Sequence, residues 1–532
     1  MTSSKRLKHR IPVKLRHNWK LVTVCVAFLG ACWGVFGGGT IRPYVTTVRA
    51  AEAGTVVTDL TGAKDLFDAS VPHEVRLTFT DAAYEDMLTE YLKEGEKKYV
   101  EADLTIDGTR IPSVGVRLKG NSTLMGLTWK GKSAQRRGPV GDGRPEGVPK
   151  GFPEGFQPPD GFPPRGEGGQ PPGGGMPGGA RLKGEEPENL PWLISFDEFA
   201  RGRRYQGHSQ VAVRPSVASP AAGPTAGSGT GSGTGPTAGS AAMLNEALGI
   251  ALVGASGEPT QRSTYASFTV NGRSAAPRLL VEYLDEGYAE GLGDGVLYKS
   301  LAGSSFTYKG EDQTGYTTDF KQVDEVGGKD LQPVIDLVRW VNEASAAEFA
   351  EGLADRLDVE SFARYLALQN IMVNFDDMAG PGRNYYLWYD LGTGRFRVVT
   401  WDLNLAFNGD ATAGVHDTIG MGAGMGAGPA RPPGNAEQGR RGGGMLGTGH
   451  PLKEKFLADA AFRKLYEEQY RVLYGRLLAG GAAGRLLDGL VTAYKLNDRA
   501  DSAGIEAEAK NLRTFLTTRT DTLRTDKALN GT

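Results

Sequence analysis

The chain reads as an α+β protein with a sheet-rich N-terminal half and a helical C-terminal half, interrupted by disordered Gly/Pro-rich insertions. Three observations predict this. Apolar and polar residues alternate strand-like in most segments between Glu74 and Lys299, and the period becomes that of a helix from Leu331 onward. The 77 glycines and 29 prolines among 532 residues are largely gathered into tracts that bury too little apolar surface to fold. A net charge of −2 gives no electrostatic footprint for nucleic acid, which is not expected as a partner. Both cysteines, Cys25 and Cys32, precede the folded part, which is left with neither a disulfide nor a thiolate metal site. The six histidines lack the HExxH spacing of a zinc hydrolase.

In chain order, a basic segment over residues 1–20 carries Lys5, Arg6, Lys8, Arg10, Lys14, Arg16 and Lys20, and an uncharged apolar run follows from Leu21 to about Phe36. Positive residues at such a flank stay cytoplasmic, so the folded domain is expected outside the cell membrane. At about 16 residues the run is near the lower limit for a membrane span. A signal anchor over 21–37 therefore competes with a cleaved signal peptide, lipid attachment at Cys32 and a buried core helix. Residues 38–73 read as a linker.

Residues 74–80 alternate as a strand, and Thr80-Asp81 caps a helix carrying Met87, Leu88, Tyr91 and Leu92. Residues 99–106 and 114–118 flank Asp107-Gly108 as a hairpin. A Pro/Gly-rich insertion is expected at about 131–188, strands at 192–196 and 210–213, and a second flexible insertion at about 216–240. A helix at 243–252 and strands at 265–270, 278–283 and 297–299 complete the sheet-rich half. Helical patterns occupy 331–341, 346–357 and 359–373, and a Gly/Met-rich insertion lies at about 409–449. Helices over 452–478, 484–494 and 503–523 are expected to pack as a small bundle.

Chemistry concentrates between Asn374 and Asp402. Asn374-Phe375-Asp376-Asp377 follows a helix, Asn384 opens the strand Tyr385-Tyr386-Leu387-Trp388-Tyr389, and the return strand Phe396-Arg397-Val398-Val399 runs into Thr400-Trp401-Asp402. That order sets Asp376, Asn384 and Asp402 to converge at one sheet edge. Phosphoryl transfer needs about that set, because one carboxylate orients the attacking hydroxyl while an amide and a second carboxylate hold magnesium. An Asp-rich loop before a hairpin also describes a plain solvated turn.

One motif misleads. Residues 126–133, Gly-Leu-Thr-Trp-Lys-Gly-Lys-Ser, match the phosphate-loop formula GxxxxGK(S/T) letter for letter. That loop works only where a strand enters it and a helix leaves it, aiming N–H groups at the phosphates. Here Ala-Gln-Arg-Arg-Gly-Pro follows Ser133, so no helix is expected and the match is read as chance.

Several ordered segments together resemble the CotH kinase family, named after a spore-coat protein. They are Val116-Arg117-Leu118-Lys119-Gly120-Asn121-Ser122-Thr123, Phe196-Asp197-Glu198-Phe199 with Tyr205-Gln206-Gly207, Val270-Asn271-Gly272 and Leu280-Val281-Glu282. Leu297-Tyr298-Lys299, Asn374-Phe375-Asp376, Asn384-Tyr385-Tyr386-Leu387 and Trp401-Asp402-Leu403 follow, so the resemblance spans roughly 74–410 of a domain expected to run over 74–530. It implies an atypical protein-kinase-like fold that transfers the ATP γ-phosphoryl group to serine or threonine of a surface or coat protein, with Mg²⁺ or Mn²⁺. Asp376 then matches the active-site aspartate and Asp402 the metal-binding one, in the place of the Asp of DFG in ordinary kinases. Asn384 becomes the candidate second metal ligand.

A kinase also needs a lysine on the phosphates and an acidic partner for it; Lys299 and Glu282 are the candidates, with Lys119 as a rival. A strand lysine is otherwise a solvated edge residue. Asn121 and Ser122 are candidates for a loop near the nucleotide, and a simple turn explains them equally well. Two departures stand out. Trp401-Asp402-Leu403-Asn404 has an amide where the family often has a second carboxylate, and Leu190-Pro191 stands where a basic residue is often found. The alternative reading is a non-catalytic kinase-like surface or coat-assembly binding protein; a calcium site lacks EF-hand spacing.

Overall fold

The computed structural model describes residues 57–120, 123–133, 182–215, 241–324, 326–419, 449–498 and 500–530, together with Lys20, Thr23 and Phe28. The chain divides into two compact units, Met1–Val48 and Arg49–Thr532. In the first, the three isolated positions are helical and the rest of the expected basic and apolar segments lie outside the described residues. Among the described residues, no helix is long and apolar enough to cross a membrane. Most of the three expected insertions also lies outside the described residues.

In the second unit, period-two alternation builds a closed seven-stranded barrel. Its strands are β2 (Glu74–Thr78), β3 (Val100–Ile106), β4 (Thr109–Leu118), β7 (Trp192–Ser195), β9 (Gln210–Val213), β10 (Ser263–Val270) and β11 (Ala276–Glu282). The order is β2-β3-β4-β7-β9-β11-β10, and parallel pairing of β10 with β2 closes the ring, all other neighbours being antiparallel. In β2, Val75 and Leu77 point inward while Glu74, Arg76 and Thr78 face water. A register shift between Ala102 and Leu104 bends β3 against β4. The helix α1 (Asp81–Glu94) packs Met87 and Leu88 onto the barrel core, and its N-cap Thr80 accepts the Ala83 N–H.

Strands β7, β9, β10 and β11 are largely buried on both faces, which in β7 and β9 shows as the short apolar runs Trp-Leu-Ile and Val-Ala-Val. Ile194, Val213, Ala266 and Leu280 fill the barrel, whereas Leu193, Ala212, Tyr265 and Leu279 face a second core shared with Leu244 and Leu248 of α2 (Ala241–Ser256). Each fully buried leucine or valine there contributes roughly 1.5–3 kcal/mol of transfer free energy. A second, antiparallel sheet has the order β13 (Phe320–Gln322), β12 (Gly295–Ser300), β14 (Tyr385–Asp390), β15 (Arg395–Thr400).

Around the second core gather α4 (Gln332–Glu343), α5 (Ala346–Gly352), α6 (Val359–Ile371), α7 (Pro451–Ala458), α8 (Ala460–Leu473), α9 (Ala482–Lys495), α10 (Ser502–Arg524) and α11 (Lys527–Asn530). The expected helix over 452–478 is broken at Asp459, whose carboxylate caps α8 by accepting from the N–H groups of Ala461 and Phe462. Beyond α8 the chain widens into a π-helical turn over Tyr474–Ala479, where the Gly480 N–H reaches back five residues to the Gly475 carbonyl. The short helix α3 (Glu286–Leu292), capped by Asp285, was not legible as a pattern.

The ordered chain exceeds the expected boundaries. Within the supposed linker, β1 (Thr58–Leu60) pairs in parallel with β8 (Arg203–Tyr205), and Leu66 and Phe67 are buried in the barrel core. Near the end of the first expected insertion Leu182 is buried, Lys183 bridges to Thr128, and Glu188 pairs with Arg273. At the start of the third, Val415 is buried. The phosphate-loop look-alike is a tight ladder of β5 (Thr128–Trp129) with β6 (Lys132–Ser133), with Lys130 stacked over Trp129.

Candidate active site

Helix α6 delivers the first carboxylate. It ends in a Schellman motif: the Asn374 N–H reaches the Gln369 carbonyl at 2.9 Å and the Val373 N–H that of Asn370 at 3.0 Å. The left-handed position usually held by glycine is occupied by Val373, at φ 49°. A β-branched residue there is strained, and Arg383 (φ 51°), Asp402 (φ 55°) and Phe407 (φ 64°) add further left-handed residues around the same site. The fully buried Arg519 of α10 helps hold this helix end, donating to the Asn370 carbonyl at 2.9 Å and to that of Ile371.

Beyond Asn374 the chain turns tightly. The Asn374 side chain accepts the Asp376 N–H at 3.2 Å, and the Asp376 carboxylate accepts the Gly382 N–H at 2.6 Å. The Asn384 amide nitrogen donates to the same carboxylate at 2.9 Å and to the Asp376 carbonyl at 3.1 Å. A Cβ on Gly382 would lie 2.6 Å from both the Asn384 nitrogen and an Asp376 oxygen, so only glycine lets these groups close on one another. Burial pushes the Asp376 carboxyl up to about 6; the Gly382 hydrogen bond opposes this, and the neighbouring charge of Asp402 adds to it.

Strand β15 delivers the second carboxylate, Asp402. Its Oδ1 accepts from the Arg214 guanidinium at 2.9 Å, and the same guanidinium nitrogen binds Glu246 of α2. Arg214 follows β9 directly; its N–H donates to the Leu279 carbonyl at 2.9 Å, and its carbonyl accepts from the fully buried Arg278. The Lys119 ammonium lies 5.2 Å and that of Lys299 5.3 Å from the Trp401 ring centre, with the Arg214 guanidinium carbon at 5.9 Å. Burial raises the Asp402 carboxyl, but the charges of Arg214, Lys119 and Lys299 outweigh it and hold the group below its usual value. Burial, reinforced by Arg214, pushes the Lys119 ammonium down to about 7.

This geometry puts an amide-held carboxylate beside a second carboxylate ringed by three cations. A family model described as CotH kinase protein matches residues 239–523, more than half the chain. The chain belongs to the CotH kinase family. No curated protein matches it. The CotH match includes Glu246, Lys299, Asp376, Asn384 and Asp402 but begins after Lys119 and Arg214, so two of the three cations come from the part of the chain that precedes it, at the ends of barrel strands β4 and β9.

Of the residues expected from sequence, the structure brings Asp376, Asn384, Asp402, Lys119 and Lys299 together. Asn121 and Ser122 lie outside the described residues. The expected Lys299–Glu282 ion pair does not form. Lys299 donates instead to the Tyr283 hydroxyl at 3.2 Å, while Glu282 accepts the Arg262 N–H at 2.8 Å and stands 3.5 Å from His208. Successive residues of a strand point to opposite faces, so the face that gives Tyr283 to the site takes Glu282 away from it. The acidic partner that sequence reasoning missed is Glu246. Its signal was a charge inside the apolar run Met243-Leu244-Asn245-Glu246-Ala247-Leu248, a position that demands a partner. Arg214, directly after an apolar strand and before the second low-complexity tract, gave no comparable signal.

Proposed function

We propose that this CotH-family chain is an extracytoplasmic atypical kinase that transfers the γ-phosphoryl group of ATP to serine or threonine of a surface or coat protein. The observation that carries this reading is the meeting of Asp376, fixed by Asn384, with Asp402, ringed by Arg214, Lys119 and Lys299. Asp376 orients the acceptor hydroxyl and takes its proton. Lys119 and Lys299 neutralise and orient the phosphates, the role of the lysine in an ordinary kinase, while Arg214 holds Asp402 against Glu246.

The donor set fits magnesium or manganese. Asn384 commits its amide nitrogen to Asp376, leaving its oxygen as a ligand, and Arg214 occupies one of the two Asp402 oxygens. Among the described residues no group of three or more His, Cys, Asp or Glu forms a metal site. Magnesium typically takes one or two carboxylates and completes its shell with water and substrate phosphates. A metal ion held there would neutralise the charge of the phosphates. The basic flank and apolar run at the N-terminus support the extracytoplasmic placement.

The test is γ-phosphate transfer with Mg²⁺ or Mn²⁺ by wild type, Asp376→Asn and Asp402→Ala. Transfer that disappears in both variants is the expected result. A second reading, a non-catalytic binding platform, is favoured by the Arg214 bond to Asp402 and by Asn404 in place of a second carboxylate. Absence of both transfer and metal-dependent nucleotide binding would overturn the kinase reading in favour of this one.

A further inference from the structure

We propose that Lys453 is a positioning residue for Asp376, acting through the adjacent Asp377; this rests on the reading of Asp376 as the base. Asp377 is the next residue in the same tight turn, and its side chain is 5% exposed. Both of its oxygens are engaged: Oδ1 accepts the Ala379 N–H at 2.8 Å, and Oδ2 pairs with the Lys453 ammonium. Lys453 reaches the turn from the first turn of α7, 76 residues further along the chain.

That helix is firmly seated. Its N-cap, His450, is fully buried, lies 3.2 Å from the Tyr385 hydroxyl and packs its ring 4.5 Å from that of Phe306. Lys455, two residues on from Lys453, donates to the carbonyls of Val341 at 2.6 Å and Ala344 at 2.8 Å, tying α7 to the end of α4. Lys453 is thus a cation on a fixed mount, aimed at the turn that carries Asp376. The remaining ties of that turn are neutral on one side at least: the Met378 N–H donates to Tyr365 at 3.1 Å, and Arg383 donates to the Met378 carbonyl at 3.1 Å.

The ion pair fixes what these bonds leave adjustable. Asp376 and Asp377 are successive carboxylates, and like charges this close repel. Without its cation, Asp377 relieves its buried charge by swinging toward water, and the backbone it shares with Asp376 moves with it. A displacement of about 1 Å at a reacting group costs up to about a hundredfold in rate.

The test uses the full chain carrying Lys453→Met, Lys453→Arg, Asp377→Asn, and the Lys453→Met/Asp377→Asn pair. Amide hydrogen exchange over residues 376–382 should accelerate in Lys453→Met and Asp377→Asn and stay at the wild-type rate in Lys453→Arg. In transfer assays kcat should fall by about ten- to a hundredfold in both single variants, with the ATP KM within about twofold, and the double variant should be no worse than the poorer single. Asp377→Asn leaves no bare buried charge and carries the same test if the Lys453→Met chain does not fold. Unchanged exchange in that turn, additive losses in the double variant, or a raised KM at constant kcat would overturn the proposal. A wild type that transfers no phosphate would sink the kinase reading and the positioning role with it, whereas an active wild type with unchanged exchange in the turn would overturn the positioning role alone.

Discussion

The side-chain nitrogen of Asn384 donates to both the carbonyl and the carboxylate of Asp376, at 3.1 and 2.9 Å. One amide therefore sets the backbone and the side chain of the candidate base together.

Asn384→Ala is expected to lower kcat on the order of a hundredfold, because the carboxylate loses its fixed orientation as well as a candidate metal ligand. Asp376→Asn is expected to abolish transfer while nucleotide binding persists. Because burial pushes Asp376 up to about 6 and a base acts only when ionised, wild-type kcat should fall as the pH drops through about 6. A rate that is flat from pH 5 to 8 would remove Asp376 from that role.

Arg214 is expected to matter to the fold as well as the site. It binds two carboxylates, and the Glu246 side chain is only 2% exposed. Arg214→Met would leave a buried carboxylate without its cation, costing about 3–5 kcal/mol. Arg214→Lys keeps the charge but loses the planar fork. Urea melts should show a large loss for Met and a small one for Lys, with metal-dependent nucleotide binding reduced in both. Equal stability of all three chains would mean that the pair carries no structural load.

Much of this fold was legible because alternation and helical periodicity report burial directly. The strand Glu74–Thr78 and the helix delivering Asn374 announce themselves in that way, and Gln210–Val213 does so by its short apolar run. Barrel closure was not legible, since parallel pairing of β10 with β2 joins segments nearly two hundred residues apart and leaves no local pattern. Likewise Asp376, Asn384 and Asp402 could be read from a hairpin and its flanks, whereas the partner of Arg214 could not. Glu282 and Glu246 are both acidic residues in apolar surroundings, and only the strand face distinguishes the one that turns away.

The two lysines should separate by pH. Both stand beside Trp401, and either Lys119→Met or Lys299→Met is expected to raise the ATP KM on the order of tenfold. Lys119, pushed by burial down to about 7, loses its charge as the pH rises through that value. Nucleotide affinity should therefore weaken between pH 6 and 8 in wild type. Lys119→Arg, which stays charged throughout, should flatten that slope. Lys299→Met should leave the slope in place, and its disappearance there instead would transfer the role to Lys299.

Glu282 supplies a prediction that separates stability from activity. Its side chain is buried beside His208, and burial pushes its carboxyl up from 4.5 to about 7. Between those two values the folded protein holds a proton that the unfolded chain releases, so stability falls as the pH rises through this window. The full loss, reached above pH 7, is about 3 kcal/mol at 1.36 kcal/mol per pKa unit. Glu282→Gln keeps an oxygen for the Arg262 N–H but carries no charge to bury. It should match wild type in thermal melts at pH 4.5, melt higher at pH 8, and leave phosphate transfer unchanged, since Lys299 pairs with Tyr283 instead. A Gln variant that melts lower at pH 8 would show that the carboxylate is stabilised in the fold. A tenfold loss of transfer at unchanged stability would return Glu282 to the site.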